Sequence, residues 1–199
     1  MRKDALHNRE RLLRAARSLF ADRGLDVPLE EIARTAGVSI GTLYNRFPTR
    51  AELVEAVFED RVATVAELAE RSLAMDDAWE GFVAFIAGVC ELQAADLGYN
   101  DLAIRGGTAD TDTGYALMQQ IIERAQESGA LRDDVTLEDM AFVIWGVAAT
   151  VRATFRVAPG VWRRHLALTL DGLRATAAHP LPAPPMTPAQ TRTAMNNCP

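Results

Sequence analysis

The chain is poor in lysine, cysteine and long apolar runs, and each shortage closes off a class of protein. Lys3 is the single lysine among 21 basic residues, which argues against an architectural protein that coats nucleic acid through a lysine-rich arm. Cys90 and Cys198 are too far apart and too few to form a disulfide framework, and neither has a histidine at a ligand or nucleophile spacing. His7, His165 and His179 are scattered, and P-loops, Gly-rich dinucleotide loops and Ser/His/Asp arrangements are missing. No enzyme activity, cofactor or metal site is expected. The run Asp110-Thr111-Asp112-Thr113-Gly114 opens like a calcium loop, but Ile121 stands where the closing glutamate belongs. Arg, Asp, Glu or Gly interrupts every apolar stretch before the ~20 residues a bilayer requires. The segment from Met1 leads directly into an Arg-rich amphipathic pattern, unlike a signal peptide. A cytoplasmic protein with no membrane partner is expected.

What is present is enough chain for a substantial core: 199 residues, 49% hydrophobic and 24% charged. The net charge of -6 is unevenly spread, because residues 1–50 hold 10 Lys+Arg against 6 Asp+Glu and the remainder is strongly acidic. Phosphate contacts are local and screened beyond roughly 10 Å, so a basic head on an acidic protein still suits a polyanion. Apolar residues recur at helical spacing throughout, and no strand-like alternation of useful length or internal repeat appears. About nine helices and an all-α fold are expected. Helices are read at residues 8–23, from Pro28 to a stop at Gly37, from a Ser39 cap to Pro48, and from a Thr49-x-x-Glu52 capping box onward. Further helices are read at about 78–95, 97–105, 113–128, 136–157 and 160–177, with a Gly-, Thr- and Asp-rich mobile loop at 106–114. From residue 180 the composition turns to Pro, Thr, Ala and Asn, and a disordered tail over 180–199 is expected.

The run from Ile32 to Tyr44 has the spacing of a helix-turn-helix. Two helices meeting at a steep angle need a small residue at the crossing (Ala33), one tolerant of positive φ in the turn (Gly37), and apolar plugs at Ile32, Val38 and Leu43. The second helix then offers Ser39, Ile40, Thr42, Tyr44, Asn45 and Arg46 to base edges in a major groove ~12 Å wide. The longer run Ala36-Gly37-Val38-Ser39-Ile40-Gly41-Thr42-Leu43-Tyr44, continued through Phe47-Pro48-Thr49-Arg50, resembles the signature of the TetR family of transcriptional regulators. That resemblance implies a three-helix DNA-binding head over residues 1–60, a helical effector-binding and dimerisation domain over 61–179, and repression relieved by a small ligand. Carried over by position, it implies that Ser39, Gly41, Thr42, Tyr44 and Asn45 face the groove and that Tyr44, Thr49 and Arg50 hold phosphates. The chain departs from the family pattern at Asn45-Arg46, where a basic residue followed by His is more usual, and at Pro28, where Ser or Thr often caps. The segments Gly129-Ala130-Leu131-Arg132-Asp133-Asp134-Val135-Thr136, Trp162-Arg163-Arg164 and Leu170-Asp171-Gly172-Leu173-Arg174 resemble a C-terminal domain common in high-GC actinobacterial members.

Two further sets of residues follow from helical faces. Trp79, Phe82, Phe85, Ile86, Val89, Cys90, Met118, Ile121, Ile122, Phe142 and Trp145 are candidates to line a cavity for a mostly apolar effector, although each taken singly is more often ordinary core. Gln93, Arg105 and Gln119 lie near those faces and are polar candidates to orient it. The last two helices are the most apolar, and the chain's own core, a membrane or a second subunit are the covers they allow. A subunit interface through Val147, Val151, Trp162, Leu166 and Leu170 is expected, giving a two-fold homodimer and a palindromic operator in double-stranded DNA. The competing readings are a helical ligand carrier or enzyme with a vestigial head, and an effector-independent architectural DNA-binding protein.

Overall fold

The computed structural model describes residues 2–105 and 111–196. Within them the chain forms α1 (Arg2–Arg23), α2 (Leu29–Ala36), α3 (Ile40–Tyr44), α4 (Arg50–Leu73), α5 (Ala78–Ala94), α6 (Leu97–Ile104), α7 (Thr111–Glu127), α8 (Leu137–Thr154), α9 (Trp162–Leu173) and α10 (Pro188–Asn196), with a 3-10 turn at Ala175–Ala177. The only β pairing among the described residues is an isolated bridge between Leu131 and Arg174. The fold is all-α.

Local chemistry sets the helix ends. Gly37 closes α2 at φ 65°, and the N–H groups of Gly37 and Val38 reach back to Arg34 and Ala33 at 3.0 Å each. Ser39 Oγ accepts the Thr42 N–H at 3.1 Å, and Thr49 Oγ1 accepts the Glu52 N–H at 3.2 Å. The expected Thr49/Glu52 box is only half made, since Glu52 takes the Thr49 hydroxyl at 3.1 Å. Pro28 stands one place earlier than expected, as the cap of α2 at ψ 138°, because Leu29 is the first residue with helical backbone. Asp77 and Asp96 cap α5 and α6 through the Glu80 and Tyr99 N–H groups, each at 3.0 Å.

Two apolar clusters form. Leu12, Ala16, Phe20, Ile32, Leu43, Leu53 and Val57 pack the three short-loop helices onto the start of α4, and Tyr99 of α6 joins them. Trp79, Phe82, Ile86, Ile122, Met140, Val147, Trp162 and Leu166 belong to the second, built from α4, α5, α7, α8 and α9. α4 runs from one to the other without a break. α6 seals the joint: a Cβ at Gly98 would stand 2.7 Å from Phe20 Cβ and 3.1 Å from Phe58 Cζ, so glycine permits this close approach to α1.

Polar groups then fasten the joint. Asp101, buried on α6, accepts the Leu25 N–H of the α1–α2 turn at 3.0 Å and faces Arg152 of α8 at 3.5 Å. Asn100, fully buried, donates to Ala148 O at 3.2 Å and ties α6 to α8. Arg105 grips Asp26 with both carboxylate oxygens, at 2.8 and 2.9 Å.

The tail departs from expectation. Residues 188–196 form α10, because Thr187-Pro188-Ala189-Gln190 is itself a capping box: Thr187 N–H donates to Gln190 Oε1 at 2.8 Å and Gln190 N–H to Thr187 Oγ1 at 3.3 Å, with proline at the first helical place. The helix seats its buried Thr191 and leaves Met195 Sδ 3.7 Å from the Tyr115 hydroxyl. Of the loop expected at 106–114, residues 106–110 lie outside the described residues and Thr111 already begins α7, so the calcium-like run falls partly in a helix.

The two joint contacts differ in burial, and that sets their worth. Asp101→Ala strands a buried N–H and is expected to lower unfolding free energy by about 1–3 kcal/mol. Asp26→Ala, which breaks an exposed pair, is expected to cost less than about 1 kcal/mol. Urea titrations of both variants check the order.

Candidate nucleic-acid interface and effector domain

α2 and α3 meet where the sequence pattern places them, with Ala33 and Leu43 buried at the crossing and Gly37 in the turn. This arrangement leaves Ser39, Gly41, Tyr44, Asn45, Arg46 and Thr49 exposed, Tyr44 by 47%. Ile40 is half-buried and packs against the head cluster. Thr42 is also half-buried, and its hydroxyl lies 2.9 Å from Ser39 Oγ, which orients both groups.

Arginines divide into two kinds. Arg50 donates through Nη1 to Leu25 O at 2.6 Å and Val27 O at 2.9 Å, so it braces the α1–α2 turn from the start of α4. Arg11 donates to Gly37 O at 3.2 Å and holds the motif's turn from α1. Arg9 stands over the Phe47 ring, 5.6 Å from its centroid, just past the end of α3. Neither Arg9 nor Arg11 was among the residues expected at this surface, because both contacts join α1 to residues more than twenty positions away and leave no local pattern. Arg23 donates to Glu31 at 2.7 Å and holds that carboxyl below its ordinary pKa.

The body shows a different distribution from the expected one. Trp79, Phe82, Phe85, Ile86, Val89, Cys90, Met118, Ile121 and Ile122 come together in the second cluster, all buried. Burial pushes the Cys90 thiol up to about 12, so it stays neutral and unreactive. Phe142 and Trp145 stand apart from that group: Phe142 is 40% exposed, edge-on to Trp145 at 5.4 Å, and the Trp145 indole N–H reaches Ala103 O at 3.3 Å. Of the polar candidates, Arg105 is committed to Asp26, Gln119 bonds the neighbouring Glu123 at 2.9 Å on the surface, and Gln93 alone is buried. An open cleft of about 760 Å³ lies between the start of α5 and the end of α7, lined by Asp76, Asp77, Trp79, Glu127, Arg124 and Arg174 among others, and its polar lining sets it apart from the apolar cluster.

The five residues expected at a subunit interface are corrected by the fold. Val147, Val151, Trp162, Leu166 and Leu170 are all buried inside the single chain, because α8 and α9 turn their most apolar faces onto α5 and onto each other. The Gly129–Thr136 run has a structural function: Arg132 is clasped by Asp134 at 2.6 and 2.9 Å and donates to His179 O at 2.6 Å, binding the α7–α8 turn to the segment that follows α9.

Residues 12–57 match the family of bacterial regulatory proteins of the tetR type, and residues 77–175 match the C-terminal domain of SbtR-like transcriptional regulators. A TetR transcriptional regulator of Streptomyces coelicolor is 33% identical, over 83% of this chain and 98% of that one, with a TM-score of 0.52. The chain belongs to the TetR family. It is a TetR-family transcriptional regulator with a helix-turn-helix head, and regulators of this family bind DNA and small-molecule ligands. An HTH-type transcriptional regulator of Staphylococcus aureus is 39% identical over 54 residues, which is 27% of this chain and 29% of that protein, so the match to this curated relative spans under a third of its length. The regulator FadR of Bacillus subtilis, solved with stearoyl-CoA, shares the fold at 17% identity, a TM-score of 0.59, and 82% and 98% coverage. Among the described residues of this TetR-family chain, no single helix is long and apolar enough to cross a membrane, and no cluster of His, Cys, Asp or Glu could hold a metal.

The division of arginines has a measurable consequence. Arg50→Ala removes two bonds to carbonyls and is expected to lower the melting temperature by about 2–6 °C. Arg46→Ala, at an exposed position, is expected to leave it within about 1 °C. Differential scanning calorimetry of the two variants separates brace from contact.

Proposed function

We propose that this TetR-family chain is a homodimeric repressor that reads a palindromic operator and is released by a mostly apolar small molecule. The observation that carries this reading is the joint: the exposed surface of Ser39, Gly41, Tyr44, Asn45, Arg46 and Thr49 belongs to a head fastened to the body by α4 and by the Asp101–Leu25 bond. An effector that favours one setting of that joint shifts operator affinity, and a coupling of ~1–3 kcal/mol changes it roughly 5- to 150-fold. The FadR complex supports the capacity of this fold to accept a ligand; at 17% identity it says nothing of which ligand this chain takes.

The dimer reading moves to a new face. Beside its buried stripe α8 carries a second one of Phe142, Ala149 and Ala153, and α9 exposes Leu168 by 62%. Small residues flanking two large apolar ones suit a close two-fold packing of four helices. That arrangement supports two recognition helices about one DNA turn apart or a little more.

Footprinting of the purified protein on the DNA beside its own gene is expected to show a protected palindrome, and equal affinity for a scrambled duplex at the same salt would overturn the reading. Log affinity is expected to fall with log salt with a slope of about -0.9 per phosphate contacted, despite the acidic total. Tyr44→Ala is expected to lower operator affinity at least about tenfold while leaving the melting temperature unchanged. Leu168→Glu places a charge on the proposed two-fold face, and sedimentation is expected to show monomer with retained helicity.

A further inference from the structure

The buried face of α5 reads Trp79, Phe82, Ile86, Val89, Cys90 and then Gln93. Five of these six are core residues of ordinary kind; the sixth is a primary amide, 2% exposed, whose Oε1 is enclosed and accepts no hydrogen bond among the described residues. Other buried polar groups nearby have visible work. Asp96 caps α6, Asp101 fastens α6 to the head, Arg132 holds the segment after α9, and Asn100 ties α6 to α8 through Nδ2, its Oδ1 being the other enclosed oxygen that meets no donor among the described residues. An enclosed acceptor left unmet lowers stability, and groups that do so mark places where function has prevailed over packing.

The surroundings restrict what could meet it. The residues that α5 buries before Gln93 are apolar apart from Cys90, whose thiol burial keeps neutral, and the carboxylates nearest along the chain, Glu91 and Asp96, are already paired with Arg163 and Arg61. A charged group brought here would lose its hydration and find the neighbouring charges already paired. An acceptor aimed from an apolar wall therefore selects a donor on an uncharged body. The position also connects to the joint: Gln93 O accepts the Asp96 N–H at 3.3 Å, Asp96 caps α6, and α6 carries Asp101.

We propose that Gln93 is the polar anchor of the effector site, its Oε1 accepting a hydrogen bond from a hydroxyl or N–H of a neutral, otherwise apolar molecule held against α5. This rests on the ligand-responsive reading above and adds to it the chemical class of the ligand. Binding there presses on the end of α5, one turn from the residue that caps α6, and so on the segment that holds the α1–α2 turn of the head.

The test uses the full chain, its Gln93→Met variant, which keeps the unbranched shape and deletes the acceptor, and Gln93→Leu as a second deletion. The probes are phenol and anisole, which share a ring and differ in the donor, followed by thermal unfolding at matched concentrations. Without probe, the variants are expected to melt at or above the wild-type temperature. Phenol is expected to bind the wild type about two- to tenfold more tightly than anisole does, and this preference is expected to vanish in both variants while anisole still binds. A phenol preference retained in the variants, or no preference in the wild type while both probes bind, overturns the anchor alone. Variants that both melt several degrees lower show that Gln93 serves the fold, and this also overturns it. If neither probe raises the melting temperature of any form, the effector-site reading falls together with the anchor.

Discussion

The Asp101 carboxylate sits where head and body meet, taking the Leu25 N–H from one side and facing Arg152 from the other. A carboxylate this deeply placed persists only when its charge and its lone pairs are met, so its two partners must arrive together. They belong to different parts of the molecule: Leu25 to the turn that leads into the helix-turn-helix, Arg152 to the end of α8. Gly98, three residues earlier, lets α6 lie against Phe20 closely enough for the bond to form. Head orientation is thereby set at two places, the continuous α4 and this short helix. Any displacement of α6 has to be paid for in a buried bond.

The arginines show how a composition misleads about a surface. Ten basic residues in the first fifty make the head look like a phosphate-binding cap. In the fold, Arg11 and Arg50 hold backbone carbonyls, Arg17 bonds Val57 O and faces Asp60, and Arg23 and Arg34 share Glu31. The guanidinium, planar and rich in donors, suits this bracing across elements in a way a lysine would not. The body repeats the pattern with Arg61 between Asp96 and the Tyr99 ring, and Arg132 on the segment that follows α9. Arg46 and Arg9 stand beside α3, on the surface proposed to face DNA.

Much of the fold was legible because its signals are local. Gly37 needs a left-handed backbone, Ser39 and Thr49 supply acceptors for the next N–H groups, and Leu43 fills the crossing; each depends on residues within four places of itself. The tail helix carried an equally local signal in Thr187 and Gln190, obscured by the proline-rich composition around it. Faces were harder. Helical periodicity reveals that α8 and α9 each have an apolar side, and the same stripe serves a chain's own core and a partner's surface equally well.

From the order of residues alone came the all-α class, the helix-turn-helix and the family, since those depend on spacings of three and four and on a contiguous motif. Tertiary structure decided the rest: that Val147, Val151, Trp162, Leu166 and Leu170 close the monomer, that Arg50 is a brace, and that Gln93 Oε1 is enclosed without a donor among the described residues. The physical reason is separation along the chain. A contact between residues 25 and 101, or 93 and the helices that enclose it, is set by how whole elements pack, and no window of sequence contains both partners.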